Sequence, residues 1–195
     1  MIADGYRSLY EELNKIYRIP GSEADGIKNI FRPLMQRKGD KYVSEGEVAG
    51  SIAFLVSGLY KYYYIDKNGN EYIKHFSKEN DFVASYKSFI MREPSPYSIE
   101  ALEDSRLLTL QYSDYMDGFR DSIFWQNIAR GCTERMLFIK EERERSFMKD
   151  SARERYINFL RDFPELEKRV RQKQVASYLG ITPESLSRIK NHLKN

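Results

Sequence analysis

Ser185, Ser187, Arg188, Lys190 and Asn191 fall on the polar face of one short predicted helix, with Glu184 in its first turn. Together they offer hydroxyl, amide, guanidinium and ammonium donors and one carboxylate acceptor. That set contains no nucleophile with an adjacent base, and nothing in the chain resembles a phosphate loop. It is suited to reading a hydrogen-bonding, anionic surface. A polar, partly basic helix face is what reading base edges in a major groove requires.

The flanking residues must position that face. Val175, Ala176 and Leu179 form an apolar stripe on a preceding helix, and Gly180 follows, where a left-handed residue ends a helix at little cost. Ile181 plugs the turn. Thr182 is a good N-cap, Pro183 a good first helical residue, and Glu184 suits the positive end of the helix dipole. Leu186, Ile189 and Leu193 give the second helix its buried stripe, and Ala176 is the small residue at the crossing. The spacing predicts a helix-turn-helix. Lys173, Gln174, Lys190 and Asn191 are placed to hold a nucleic-acid backbone, and Thr182, Ser185 and Ser187 to touch bases or phosphates. The competing reading is an ordinary helical hairpin.

Charge agrees with the first reading. The net charge of the 195 residues is +3, but residues 151–195 hold ten Lys and Arg against five Asp and Glu. The remainder is slightly acidic, so the basic excess coincides with the helix-turn-helix, as phosphate binding would require. Cys132 is the single cysteine, which rules out an intrachain disulfide or a four-cysteine iron–sulfur cluster within one chain. His75 and His192 are the two histidines, and neither suggests a metal site. With no signal peptide and no apolar run of membrane-spanning length, the expectation is a cytoplasmic protein with no membrane partner.

Ahead of the motif, Tyr6, Leu9, Tyr10, Leu13, Ile16 and Tyr17 predict an amphipathic helix ended by Pro20-Gly21. A second helix is expected from an N-cap at Ser22 to Phe31, closed by Pro33. From Leu34 to about Tyr112 short strands alternate with turns: Ser51–Val56, Leu59–Ile65, Glu71–Phe76, Tyr97–Leu102 and Arg106–Leu110. Asp66 to Asn70, with its Asn-Gly step, is a hairpin turn. The pattern suggests an antiparallel sandwich or barrel. A helix without proline then runs from about Ser122 to Met148. Trp125, Ile128, Cys132, Met136 and Ile139 mark a narrow apolar seam on it, read as a two-fold dimer contact, with a single helix covering the sheet as the alternative. Phe124, Leu137 and Phe138 lie off the seam and are expected to pack on the strands. A further helix spans about Ala152 to Arg161.

Helix, β-roll, long helix and helix-turn-helix, in this order, resemble the Crp/Fnr family of bacterial transcription regulators. The marks are Gly46-Glu47, Phe54 to Gly58, Asn80-Asp81-Phe82, Glu100 to Ser105 and the helix-turn-helix itself. The resemblance implies an α+β chain: a double-stranded β-helix (β-roll, jelly-roll-like) sensory domain over 1–121, a dimerisation helix over 122–148 and a DNA-binding domain over 149–195. It implies a homodimer, double-stranded DNA and RNA polymerase as partners, and an effector site at Phe82, Val83, Ala84, Ser85, Tyr86, Lys87, Ser95, Pro96 and Tyr97. Cyclic-nucleotide binders of the family carry Gly-Glu just after the Asp-Phe element and Arg-Ser before the next strand. Here those places read Ala84-Ser85 and Ser95-Pro96. A phosphate would lose its bidentate partner, so cyclic AMP is not the expected effector and no cofactor is expected. Lys87 and Arg92 are nearby cations at non-matching positions. On the reading face the family's Arg, Glu and Arg become Pro183, Glu184 and Arg188, so Glu184 could accept from a cytosine amino group and Arg188 pair with guanine, on a different operator. Little room lies between Arg161 and Gln172 for a β-hairpin wing. The alternative is a ligand-binding or protein-docking β-roll that no longer grips DNA.

Overall fold

The computed structural model describes residues 2–21 and 24–194. In chain order the elements are α1 (Ile2–Ile16), α2 (Ala24–Ile30), β1 (Phe31–Gln36), β2 (Lys41–Val43), β3 (Ser51–Ser57), β4 (Tyr60–Ile65), β5 (Glu71–Ser77), β6 (Phe82–Val83), α3 (Tyr86–Met91), β7 (Ser98–Ala101), β8 (Ser105–Gln111), α4 (Tyr112–Asp121), α5 (Ile123–Lys149), α6 (Ala152–Asp162), α7 (Leu166–Arg169), α8 (Gln172–Leu179) and α9 (Pro183–Lys194). The chain divides into two compact units, one of residues 1–62 and 76–135, the other of residues 63–75 and 136–195. The boundary passes through the β4–β5 hairpin and through α5.

Two four-stranded sheets, ordered β1-β8-β3-β6 and β2-β7-β4-β5, form a β-roll that makes up most of the first unit. The β1, β3, β6 and β8 pairings are antiparallel, as are β2 and β7. The strands put rings such as Phe54 and Tyr60 into the core with Ile99 and Leu107, Phe89 of α3 joins them, and Leu9 and Leu13 of α1 close it. Burying such side chains contributes about 1.5–3 kcal/mol each. Both faces of β3 are covered, since Ala53, Phe54 and Leu55 are all fully buried. Gly58 turns the chain between β3 and β4 at φ 117°, and a Cβ there would lie 2.1 Å from Ser105 Oγ. Glycine alone fits that close approach.

Several sequence expectations need correction. Phe31 and Pro33 do not close the second helix; they belong to β1. Proline is tolerated because β1 is an edge strand, paired on one side with β8. The expected cap Ser22 lies outside the described residues. The helices α3 and α4 were not legible as helices among the strand signals. On α5, Phe124 is buried as expected, but Leu137 and Phe138 are 50% and 64% exposed. Conversely Ile128 is buried in the roll's core, with Trp125 and Cys132 packed against it, so the front of the expected dimer seam faces its own roll. Met136 is half-buried and Ile139 exposed.

In the second unit the chain leaves α5 at Ser151, whose hydroxyl accepts from the Glu154 N–H while the Glu154 carboxylate accepts from the Ser151 N–H. That reciprocal cap starts α6. Tyr156, Phe159, Phe163, Leu166, Val175, Ala176, Leu179 and Leu186 make its core. No described helix is long and apolar enough to cross a membrane.

Candidate nucleic-acid interface and effector site

The turn between α8 and α9 is built by backbone chemistry that the sequence supplies. Gly180 is left-handed at φ 67°, and the Ile181 N–H returns to the Ala176 carbonyl at 3.0 Å. This closes α8 with a six-to-one bond. Ala176 and Leu186 are both fully buried, so the small residue lets the helices cross closely. Thr182 Oγ1 then accepts from the Ser185 N–H at 3.2 Å, the expected N-cap.

That cap also sets the reading face. The Thr182 hydroxyl bonds Ser185 Oγ at 3.2 Å, and Arg188 Nη2 donates to Ser185 Oγ at 3.3 Å. Arg188 is therefore pre-oriented by a short polar chain running back to the cap. Its own helix N–H, the Thr182 hydroxyl and Arg188 hold the Glu184 carboxyl below the usual carboxylate range, so it stays an acceptor. Thr182, Pro183, Glu184, Ser187, Arg188 and Asn191 are exposed, as is Lys173 on α8, while Ser185 is half-buried beneath Arg188. Gln172, Pro183, Glu184 and Ser187 line one shallow concavity. Gln172 was not among the expected residues, because its approach to Pro183, eleven residues on, is made by the turn between the helices.

Two residues expected to hold backbone are engaged within the chain. Gln174 is buried, and its Oε1 accepts from the Arg171 N–H at 3.0 Å. It satisfies an orphan donor at the start of α8 rather than facing outward. Lys190 Nζ lies 2.6 Å from Glu167 Oε1, an ion pair with α7.

Elements of the second unit brace the helix-turn-helix. Arg143 of α5 donates to the Tyr178 carbonyl at 2.9 Å and lies over the Tyr178 and Phe147 rings at 3.9 and 4.7 Å. Arg155 of α6 donates to the Leu179 carbonyl at 3.1 Å. Two guanidiniums thus serve the carboxyl end of α8, where the helix dipole favours cations. On the hairpin tip, the Ile73 N–H donates to Ser177 Oγ at 2.9 Å, and His75 stands edge-on to Phe163. Removal from water beside Lys74 and Arg143 pushes the His75 pKa down to about 3, so the ring is neutral. Among the described residues no group of histidine, cysteine or carboxylates could hold a metal.

The expected effector residues gather in the first unit around hydroxyls instead of charges. Val83, Ser85 and Ser95 are buried. Ser85 Oγ and Ser95 Oγ are 2.8 Å apart, and Ser95 Oγ donates on to the Tyr97 carbonyl at 2.7 Å. The Ala84 N–H donates to the Tyr62 hydroxyl at 3.3 Å, and that hydroxyl meets Ser77 Oγ at 3.0 Å. Burial raises the Tyr62 phenol, which stays protonated. Phe82 stacks edge-on to Phe54. Tyr86 reaches Thr133 of α5 at 3.0 Å, while Pro96 is exposed. The two nearby cations are engaged elsewhere: Lys87 pairs with Glu93 at 3.0 Å, and Arg92 donates to the Ala49 carbonyl at 2.6 Å under the Tyr112 ring.

Residues 36–122 match the family model of the cyclic nucleotide-binding domain. No curated protein matches the chain. Among solved structures, FixK2 from Bradyrhizobium japonicum is similar at a TM-score of 0.75 and 19% identity, over 85% of each chain. A Crp/Fnr-family transcriptional regulator from Eubacterium rectale gives 0.69 and 18%, over 90% of this chain and 84% of that one. The catabolite activator protein of Thermus thermophilus gives 0.59 and 19%, over 94% and 86%.

Proposed function

We propose that this chain, a β-roll of the cyclic nucleotide-binding domain type followed by a helix-turn-helix in the Crp/Fnr arrangement, is a sequence-specific DNA-binding transcription regulator. The observation that carries this reading is the exposed face of α9, on which Thr182 and Ser185 orient Arg188 beside the ionised Glu184. A fixed guanidinium can bind guanine O6 and N7 in its bidentate manner, and a carboxylate can accept from a cytosine amino group. Each such pair discriminates by about 1–3 kcal/mol. Pro183 offers no donor, so the operator differs from one read by an arginine there. Lys173, Asn191 and Gln172 hold backbone. The regulators it resembles in fold, and the basic excess of its carboxyl-terminal segment, support this reading.

The protein acts as a homodimer. Leu137, Phe138, Ile139 and Met148 are exposed apolar residues on α5, with Leu137 and Met148 about three turns apart on one side of the helix. These exposed residues, rather than Trp125, Ile128 and Cys132 packed on the roll, are offered for contact with a second copy. The effector is not cyclic AMP. Where a cyclic phosphate would need an arginine, Ser95 is buried and bonded to Ser85, and a neutral hydroxyl pair cannot offset a desolvated phosphate charge.

Titration of labelled genomic duplex with wild type and Arg188→Ala, at rising salt, tests the reading. Wild type should bind with log K falling linearly in log salt, and the variant should bind more weakly. Binding that ignores both salt and Arg188 would favour the module that docks a ligand or protein instead. Calorimetry with cyclic AMP should give no saturable heat.

A further inference from the structure

Helix α9 carries a cation that the chain engages internally. Lys190 lies on the flank of α9, between the buried stripe of Leu186 and Leu193 and the exposed face of Ser187 and Asn191. From there an ammonium on its flexible stem has two anionic partners within reach of its chemistry: a phosphate, or a carboxylate of its own chain. Here it takes the second. Lys190 Nζ sits 2.6 Å from Glu167 Oε1. Glu167 is itself held, since the Tyr156 hydroxyl donates to its two oxygens at 2.9 and 3.0 Å. Tyr156 is buried in α6, and Leu166, beside Glu167, is buried too. The carboxylate is therefore held by a buried neighbour with little freedom of its own. The ion pair is about three-quarters covered on both sides, so it is screened less than a surface pair.

We infer that Glu167 is a positioning and specificity residue that ties up Lys190 and so limits sequence-independent attraction to DNA. The inference rests on the DNA-binding reading and deepens it. Affinity from phosphate contacts is the same for every sequence, whereas Arg188 and Glu184 discriminate. Engaging one lysine internally removes one phosphate contact from the non-specific term and leaves base reading intact.

The test compares wild type, Glu167→Gln, Lys190→Gln and the double variant by fluorescence anisotropy on a duplex of scrambled sequence across a salt series. In Glu167→Gln the amide oxygen still accepts from Tyr156, which preserves the packing. Glu167→Gln should steepen the salt slope by about 0.9, the value of one added phosphate contact. It should tighten non-specific binding at low salt. Lys190→Gln alone should leave the wild-type slope unchanged, and the double variant should return to it. A flatter slope for Lys190→Gln alone would overturn the inference, because the lysine would already lie on phosphate. So would an unchanged slope for Glu167→Gln. If Glu167→Gln does not fold, by circular dichroism, the Lys190→Gln arm decides alone. Absence of any salt-dependent binding by wild type would instead overturn the DNA-binding reading beneath it.

Discussion

Replacing Arg143 with Met should loosen the helix-turn-helix without touching the reading face. Arg143 makes one charge-assisted bond to the Tyr178 carbonyl at 2.9 Å, at the carboxyl end of α8. Hydrogen bonds from charged groups contribute about 1.5–3 kcal/mol. Its guanidinium also covers two rings, at 3.9 and 4.7 Å, each adding about 0.5–1 kcal/mol. Against this stands the cost of burial, which pulls the Arg143 pKa below its ordinary value, with the nearby Arg155 charge adding to it. Met keeps most of the stem's packing and removes that cost. The net expectation is a loss of about 2 kcal/mol, because the gains do not add fully. Arg143→Lys keeps the charge but not the planar fork, and should lose about half as much. Hydrogen exchange of the α8 amides, together with urea unfolding, measures both. A loss under about 0.5 kcal/mol for Arg143→Met would refute the claim that this stack holds α8.

Ser95→Ala leaves the buried Ser85 hydroxyl without its partner and should cost about 1–3 kcal/mol in urea unfolding, with no change in DNA affinity of the folded protein. His75, with its folded pKa near 3 against 6.5, is neutral when folded but titrates when unfolded. Its contribution to stability is therefore complete above pH 6.5 and lost as pH falls toward 3. Between about pH 7.5 and 5 the loss should reach up to about 2 kcal/mol, and His75→Gln should flatten that part of the stability profile. Phe138→Glu, in the exposed run of α5, should shift sedimentation from dimer toward monomer and leave the fold intact, whereas a retained dimer would place the contact elsewhere.

The helix-turn-helix was legible because each slot depends on local chemistry. Gly180 at positive φ, Thr182 as a cap and Pro183 after it act within a few residues. The hairpin at Asp66–Asn70 was legible for the same reason, as Asp66 accepts from the Asn68 and Asn70 N–H groups. What failed depended on partners distant in sequence. Pro33 reads as a helix stop, and only pairing with β8 makes it an edge-strand residue. The seam of Trp125, Ile128 and Cys132 has the spacing of a helix contact, but spacing does not say whether the partner is a second copy or the chain's own roll. Gln174 and Lys190 have the polar type and spacing expected of backbone contacts, and the sequence does not show that an N–H of Arg171 and the Glu167 carboxylate engage them within the chain.

The most direct test is selection of fragments from the source organism's DNA by purified wild type, with Arg188→Ala beside it, at two salt concentrations. Enrichment of a two-fold symmetric site, lost in the variant, is the predicted result. It would tie sequence reading to the Thr182–Ser185–Arg188 face and to a symmetric pair of chains. Enrichment of no site by wild type, even in the presence of cell extract, or the same symmetric site retained by Arg188→Ala, would contradict the account.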